Sequence, residues 1–290
     1  MKAAIIVNGF TRSAGADYQP ARLKEEFEKA GVAAEIIKNY GALCRIINDE
    51  INCDINADFC VFLDKDKYLS AALEKKGVKL FNKSKAIEDC DDKAVTFLRL
   101  SDNGVPMPDT ITAPLCYTPE AKISDEFINE VVNSLGLPLI IKTAYGSLGN
   151  GVFLAQSAEE VKKISDNLKC VPHLYQKFIK ESYGRDVRVI VIGGKVFGAI
   201  KRVSDGDFRS NLSLGGKAEI FTPDEKLISL AEKTARLLGL DYCGIDFLFT
   251  ENGFTVCEVN SNAFFKGFES VTGLNVAEAF VRYILKSTSY

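Results

Sequence analysis

Gly244-Ile-Asp246-Phe-Leu-Phe249, a polar turn, then Thr255-Val-Cys-Glu258-Val-Asn260-Ser-Asn262 is the stretch on which the reading of this chain turns. It has the pattern of a β-hairpin with an Asp on one strand and a Glu-x-Asn on the next. Strand side chains alternate between faces, so Glu258 and Asn260 share one. Residues directly opposite in an antiparallel pair also share a face. A loop of Glu251-Asn252-Gly253 puts Asp246 opposite Glu258, whereas an Asn252-Gly253 loop puts it opposite Val259 and scatters the polar groups. The first register gathers three oxygen ligands. A set without His or Cys suits Mg²⁺ or Mn²⁺, and Mg²⁺ normally arrives with substrate phosphates. The alternate positions are apolar (Ile245, Phe247, Phe249, Val256, Val259), so this stretch alone fits a plain hairpin with a solvated polar face equally well.

The chain has 290 residues, enough for two or three modest domains. Hydrophobic content of 47% and charged content of 26% are ordinary for a globular protein. A net charge of −3 argues against nucleic acid as the main partner. The eight cysteines form no CxxC pair and no zinc spacing. No signal peptide and no membrane-length apolar run is visible, so reduced, buried thiols in a cytoplasmic protein are expected. The single His, His173, follows Val171-Pro172 beside an expected strand, and a structural role is assigned to it.

Strand and helix signals alternate over the first eighty or so residues. Strands are expected at 3–7, 32–37, 59–63 and 78–81, with helices at 21–30 and 69–76. This βα alternation predicts a small parallel sheet with helices on its faces. Asn8-Gly9 ends the first strand, where such sheets bind ligands. The charged segment 83–93 reads as a junction. Helices follow at 91–101 and 125–135, then strands at 139–142 and 152–155. Ser157-Ala-Glu-Glu160 is a capping box opening a helix to about Leu168. Further strands are expected at 174–178, 187–192 and 195–201, with Gly193-Gly194 as a tight hairpin turn. Thr222-Pro-Asp-Glu225 reads as a capping box with Pro at the first helical position, and a closing helix covers 276–285.

Three further stretches carry chemistry. Lys142-Thr-Ala-Tyr-Gly146-Ser147-Leu-Gly149-Asn-Gly151 joins two strands, and its glycines let backbone N–H groups approach phosphate oxygens. It is neither a Walker A loop nor a dinucleotide fingerprint, because a strand follows it. It reads as a flap, with Lys142 reaching a phosphate as a point charge. Gly206-Asp-Phe-Arg209-Ser210-Asn211 offers donors to a phosphate or a developing negative charge. Gln176-Lys177-Phe178-Ile179 runs on to Gly184-Arg-Asp186-Val-Arg188. It offers backbone groups to a base and a carboxylate to ribose hydroxyls.

Taken in order, Asp92-Lys93, Lys142 with GSLGNG, QKFIKESYGRD, DFRSN-x3-GG, GID and EVNSN resemble the ATP-grasp superfamily, and within it the RimK-type glutamate ligases. The resemblance covers residue 90 to the end. It implies a mixed α/β and α+β chain: an ATP-grasp fold behind an N-terminal parallel-sheet domain. The expected domains are 1–90, a lid domain with the glycine flap at 91–172, and a C-terminal domain with the metal hairpin at 173–290. By likeness, Lys93 and Lys142 contact the α- and β-phosphates of ATP, and Ser147 and Gly149 belong to the flap. Lys177 and Phe178 pair with adenine through their backbone, and Asp186 binds ribose. Arg209, Ser210 and Asn211 touch the phosphates. Asp246, Glu258 and Asn260 hold two Mg²⁺ (or Mn²⁺) ions. Arg209 and Lys142 take the catalytic roles.

Arg188, Arg202 and Asn262 are candidates for substrate contact, surface ion pairing being an equal alternative for the arginines. Lys177 stands where many relatives have Glu, and Ser261-Asn262-Ala-Phe-Phe-Lys266 replaces a common Ala-Ser-Pro-Gly. The implied reaction joins a carboxylate to an amine through an acyl-phosphate. It would add an amino acid such as glutamate to a small-molecule, peptide or protein acceptor. The resemblance admits a homo-oligomer and implies no nucleic-acid or membrane partner. A kinase of the same fold and a non-catalytic nucleotide-binding module are the rival readings.

Overall fold

The computed structural model describes residues 1–11, 15–147, 149–210 and 215–288. Among these residues, three sheets account for most of the chain.

The first sheet is built from β1 (Lys2–Val7), β2 (Ala33–Lys38), β5 (Phe59–Leu63) and β6 (Lys79–Phe81), all parallel, in the order β2-β1-β5-β6. β5 is apolar at every position rather than at every second one, because both faces are covered. Helix α1 (Tyr18–Lys29) packs Leu23 and Phe27 with Ile5 and Phe59 on one face. Helix α2 (Lys67–Lys75) packs Leu69 and Leu73 with Ile6 and Phe62 on the other. A hairpin, β3 (Cys44–Ile47) and β4 (Glu50–Cys53), interrupts the alternation and is not signalled by strong periodicity. The segment expected to be a junction is helical. α3 (Ser84–Asp91) leads to α4 (Lys93–Leu100), and the Asp92 carboxylate caps α4 by accepting from the N–H groups of Ala94 and Val95. Of the charges on this segment, Lys85 and Glu88 are exposed, while Asp89 is buried with Ala86, Ile87 and Cys90 on the inner face.

The second sheet is antiparallel, in the order β7-β10-β8-β9, from β7 (Thr110–Thr112), β8 (Leu139–Thr143), β9 (Val152–Ala155) and β10 (His173–Lys177). Helices α5 (Asp125–Leu135) and α6 (Ala158–Leu168) cover one face, where Leu139, Ile141 and Tyr175 form a core of their own with Ile128, Val131 and Val161. Ser157 caps α6 as expected, and Glu160 answers by accepting from the N–H of Gln156. β10 pairs with both β7 and β8, so the division expected at 172/173 falls on the wrong side of this strand. His173 is buried, with Nδ1 against the Val171 carbonyl and Nε2 against the Tyr175 hydroxyl. Burial lowers its pKa.

The third sheet is antiparallel, in the order β13-β12-β11-β14-β15. Its strands are β11 (Arg185–Ile192), β12 (Lys195–Val203), β13 (Lys217–Phe221), β14 (Tyr242–Thr250) and β15 (Gly253–Asn260). Gly193 and Gly194, both at positive φ, turn β11 into β12. α7 (Glu225–Leu237) covers one face, where Leu227, Ala231 and Ala235 meet Val189, Cys243, Ile245 and Val259. Its cap is Asp224, accepting from the Leu227 N–H, so the capping box placed at Thr222 is corrected. Pro223 precedes the cap instead of opening the helix. The opposite face is divided lengthwise. Ile190, Ile192, Ile200 and Tyr242 pack against the first sheet, together with α8 (Lys266–Thr272) and α9 (Val276–Thr288). The remainder of that face is polar.

One side chain ties the first sheet to the third. Asn82, just past β6 and buried, donates through Nδ2 to the carbonyls of Tyr242 and Ser261 at 2.7 and 2.8 Å. Its Oδ1 accepts from the N–H groups of Asp241 and Tyr242 at 2.6 and 2.9 Å. All four polar positions of the carboxamide are used. Asn82→Ala leaves these backbone groups buried and unpaired, and the unfolding free energy from urea titration is expected to fall by about 3 kcal/mol.

Candidate active site

The polar part of the third sheet is a row of charges set by register. Asp186 on β11 faces Arg202 on β12, Arg188 on β11 faces Asp246 on β14, and Asp246 faces Glu258 on β15. The last pairing is the expected one, but the route to it is not. The turn is Glu251-Asn252, with Gly253 already paired to Thr250. An unbroken ladder from that turn would set Asp246 against Cys257. A bulge between Asp246 and Phe247 takes up Cys257 as the extra residue and restores Asp246 to Glu258. The bulge also brings the Cys257 side chain to the cleft, where Lys142 Nζ lies 3.6 Å from its sulfur.

The two aspartates in this row survive burial because guanidinium groups hold them. Arg188 donates to both oxygens of Asp246, and Arg202 Nη2 reaches the same carboxylate at 3.0 Å. Arg202 also clamps both oxygens of Asp186. Burial alone would raise the pKa of Asp246, but the charges of Arg188 and Arg202 outweigh it and hold the group below the usual carboxylate range. Asp186 shares only one of these arginines. Burial dominates there and raises its pKa, with the Asp246 charge adding to the rise. Arg202 is about 5% exposed and spent on these two partners, so its expected contact with substrate reduces to one through Asp186 and Asp246.

The second sheet roofs this floor. Its core face takes Leu139 and Ile141, so Ile140 and Lys142 turn to the cleft by alternation, joined by Val152 and Gln176. The cleft spans about 790 Å³ of space between the two sheets, part of it open to solvent. Of the expected residues, Lys93, Lys142, Gly149, Lys177, Phe178, Asp186, Arg202, Arg209, Ser210, Asp246 and Glu258 all line it. Lys93 Nζ donates to the Gly146 carbonyl at 2.9 Å and stands 3.5 Å from Glu258 Oε1, joining flap to floor. Arg209 is oriented by a two-point contact with Asp207 and donates to the Gly149 carbonyl at 3.0 Å. Lys177 sits at the rim, its ammonium 3.3 Å from Asp109 and its N–H bonded to the Asp109 carbonyl.

Four expected residues, Ser147, Asn260, Asn262 and Arg188, do not line the cleft. Ser147 is exposed on the flap, where its carbonyl accepts from Asn150, and it does not line the cleft. Asn262 lies beyond the hairpin, its Nδ2 on the Leu63 carbonyl at 2.7 Å. Arg188 lies beside Asp246, spent on its carboxylate, and does not line the cleft. Asn211 is outside the described residues. Sequence reasoning missed the apolar slot of Ile140, Val152, Ile179 and Leu248. Aliphatic side chains in strands carry no mark that separates a ligand wall from a core; only the roof-and-floor geometry does.

The donor set on the hairpin suits a hard cation. Asp246 and Glu258 are opposite in register, and Asn260 follows two residues on. The Asn260 Nδ2 is buried without a hydrogen-bond partner, and Oδ1 is the atom of this amide that a cation would take. Among the charges that line the cleft, Lys93, Lys142, Lys177, Arg185, Arg202 and Arg209 outnumber Asp186, Asp246 and Glu258, a surplus that favours an anion such as phosphate. Among the described residues, no helix is long and apolar enough to cross a membrane.

Comparison with known proteins bears on this geometry. The family model of the RimK-like ATP-grasp domain matches residues 90–284. The chain is 40% identical over 223 residues to human beta-citrylglutamate synthase B, covering 76% of this chain and 56% of that protein. It is 38% identical over 225 residues to human N-acetylaspartylglutamate synthase A, covering 77% and 56%. It therefore spans little more than half the length of these curated relatives. The ATP-grasp ligase PsnB, solved with a minimal precursor, Mg and ADP, superposes with a TM-score of 0.71 at 16% identity, over 99% of this chain and 98% of that one.

Arg188→Met strips the two-point partner from buried Asp246 and is expected to cost about 3–5 kcal/mol at neutral pH. The Asp246 pKa is depressed, so its stabilisation is present above the ordinary carboxylate range and is lost as pH falls through the folded value. The gap between wild type and variant in urea unfolding should therefore narrow as pH drops below that range.

Proposed function

The chain belongs to the RimK-like ATP-grasp family, and from that premise we propose that it is an ADP-forming ligase joining a carboxylate to the amine of an amino acid. The observation that carries the reading is the meeting, in one cleft, of Lys93, Lys142 and Arg209 with the in-register carboxylates of Asp246 and Glu258. The apolar slot of Ile140, Val152, Ile179 and Leu248 fits a flat base, with the backbone of Lys177 and Phe178 at its edge. Asp186 and the Ser210 hydroxyl stand beside the ribose end.

Phosphoryl transfer asks for positioning and charge neutralisation more than covalent help. Lys93 and Lys142 neutralise the α- and β-phosphates, and Lys93 also ties the flap to the floor. Asp207 holds Arg209 so that its guanidinium meets charge on the transferring group. Asp246, Glu258 and Asn260 would hold Mg²⁺, taken as two ions, which supplies charge neutralisation and orientation of the phosphate oxygens. The substrate carboxylate attacks the γ-phosphate of ATP to give an acyl-phosphate and ADP. The amine then attacks the acyl carbon and phosphate leaves, with an amide formed. The two human relatives are named for products in which glutamate is joined to a citryl or an N-acetylaspartyl group. Glutamate is accordingly the amine, and a small polycarboxylate or N-acylated acidic residue the acceptor. PsnB was solved with a peptide precursor, so an acidic peptide belongs in the same screen.

Incubation with ATP, Mg²⁺, L-glutamate and either citrate or N-acetyl-L-aspartate is expected to release ADP and give the condensed mass. ADP release that needs neither an acid nor an amine would refute the ligase reading. Glu258→Gln removes one charge at constant shape and should lower ADP formation at least about 10²-fold, with circular dichroism unchanged. Near-normal turnover would refute the metal assignment.

A further inference from the structure

The first sheet reverses its strand order between β1 and β5, and the carboxyl ends of such a pair are where parallel sheets take up ligands. Three polar residues meet at that crevice. Asn8 follows β1, Asp64 follows β5, and Asn262 follows the hairpin that carries Glu258 and Asn260. Asn8 Nδ2 donates to Asp64 Oδ1 at 3.1 Å, and the Lys65 N–H donates to the same oxygen at 2.7 Å. Asn262 Nδ2 donates to the carbonyl of Leu63, the residue before Asp64. These bonds fix the side chains and leave particular atoms over. Asp64 Oδ2 and Asn262 Oδ1 are both buried and accept no hydrogen bond. Asp64 is only 6% exposed. Buried acceptors are nearly always met by a donor, so each of these two atoms calls for one.

Both atoms are acceptors, and one belongs to a carboxylate. An anion would meet repulsion there, while an ammonium brings three donors and the opposite charge. Burial pushes the Asp64 carboxyl up and Asp66 adds to that, while Asn8, the Lys65 N–H and Asn39 pull the other way. Lys65 does not neutralise Asp64, since its ammonium is 2.7 Å from Asp91. Asn262 stands two residues past Asn260, so a group held at this crevice lies beside the end of the metal hairpin. We propose that Asp64 and Asn262 form the subsite for the amino group of the incoming amino acid, Asp64 Oδ2 and Asn262 Oδ1 accepting from its nitrogen. This rests on the ligase reading, and it gives the first sheet a share in choosing the amine.

The test separates amino-group recognition from carboxyl activation. Calorimetry in the presence of ADP and Mg²⁺ compares L-glutamate with glutarate, which lacks only the amino group. Wild type is expected to prefer glutamate by at least about tenfold. Asp64→Asn, which keeps the Oδ1 acceptor for Asn8 and Lys65, should erase that preference without changing ADP affinity. Asn262→Ala should weaken it. Equal affinities in wild type, or a preference that survives Asp64→Asn, overturn the proposal. In parallel, hydroxylamine traps an acyl-phosphate as a hydroxamate without using the amine subsite. Asp64→Asn should keep hydroxamate formation from ATP and citrate or N-acetyl-L-aspartate while amide formation with glutamate falls at least about tenfold. A wild type that prefers glutamate but yields no hydroxamate strikes the ligase reading and leaves the subsite standing. Equal loss of both products in Asp64→Asn overturns the subsite.

Discussion

Two carboxylates lie buried in the floor of one sheet, and the site exists because two guanidiniums are buried with them. Asp186 and Asp246 are each met by an arginine on the neighbouring strand, and Arg202 touches both. Either carboxylate alone at this depth would take up a proton or force the strands apart. Because each pair spans adjacent strands, the charges also fix the register of three strands. A slip of one residue would drive Arg188 and Asp246 into the apolar face against α7, while Val187 and Ile245 would face the cleft. Charge pairing here specifies alignment more than it adds net stability.

The same face of that sheet serves two purposes along its length. Ile190, Ile192, Ile200 and Tyr242 continue the rows of Arg188, Arg202 and Asp246 toward the first sheet, where they share a core with Ile5, Phe59 and Phe280. The polar floor is thus anchored at one end by apolar packing and at the other by the bulge at Cys257. The bulge is the finer control. Without it, the Glu251-Asn252 turn would place a thiol where the β14–β15 hairpin has Glu258.

Much of this was legible in the residues. Asp246 and Glu258-Val-Asn260 on an alternating background announced a polar face, and Gly193-Gly194 and Ser157-x-x-Glu160 located a turn and a cap by local chemistry alone. The pairing of Asp246 with Glu258 was read correctly through the wrong turn, because a bulge adds a residue without leaving a sequence mark. The helix α3 was hidden by its charges, since charged residues outnumber the apolar Ala86, Ile87 and Cys90 on so short an element, and one of them, Asp89, is itself buried. The aliphatic roof and the role of Asn82 were not legible at all. Ile140 and Val152 differ from core residues only in what faces them, and Asn82 matters through Tyr242 and Ser261, far off in the chain.

The distribution of cores sets how the molecule can deform. The first and third sheets are fused by a continuous apolar layer and by the four-bonded Asn82 amide. The second sheet keeps its own core under α5 and α6, and meets the rest mainly through polar contacts of its glycine loop. The chain enters that sheet past Asp109 and leaves it at Lys177, and these two crossings are hydrogen-bonded side by side. Two adjacent crossings define a single pivot. A rotation of the second sheet about that line would open neither hydrophobic interior.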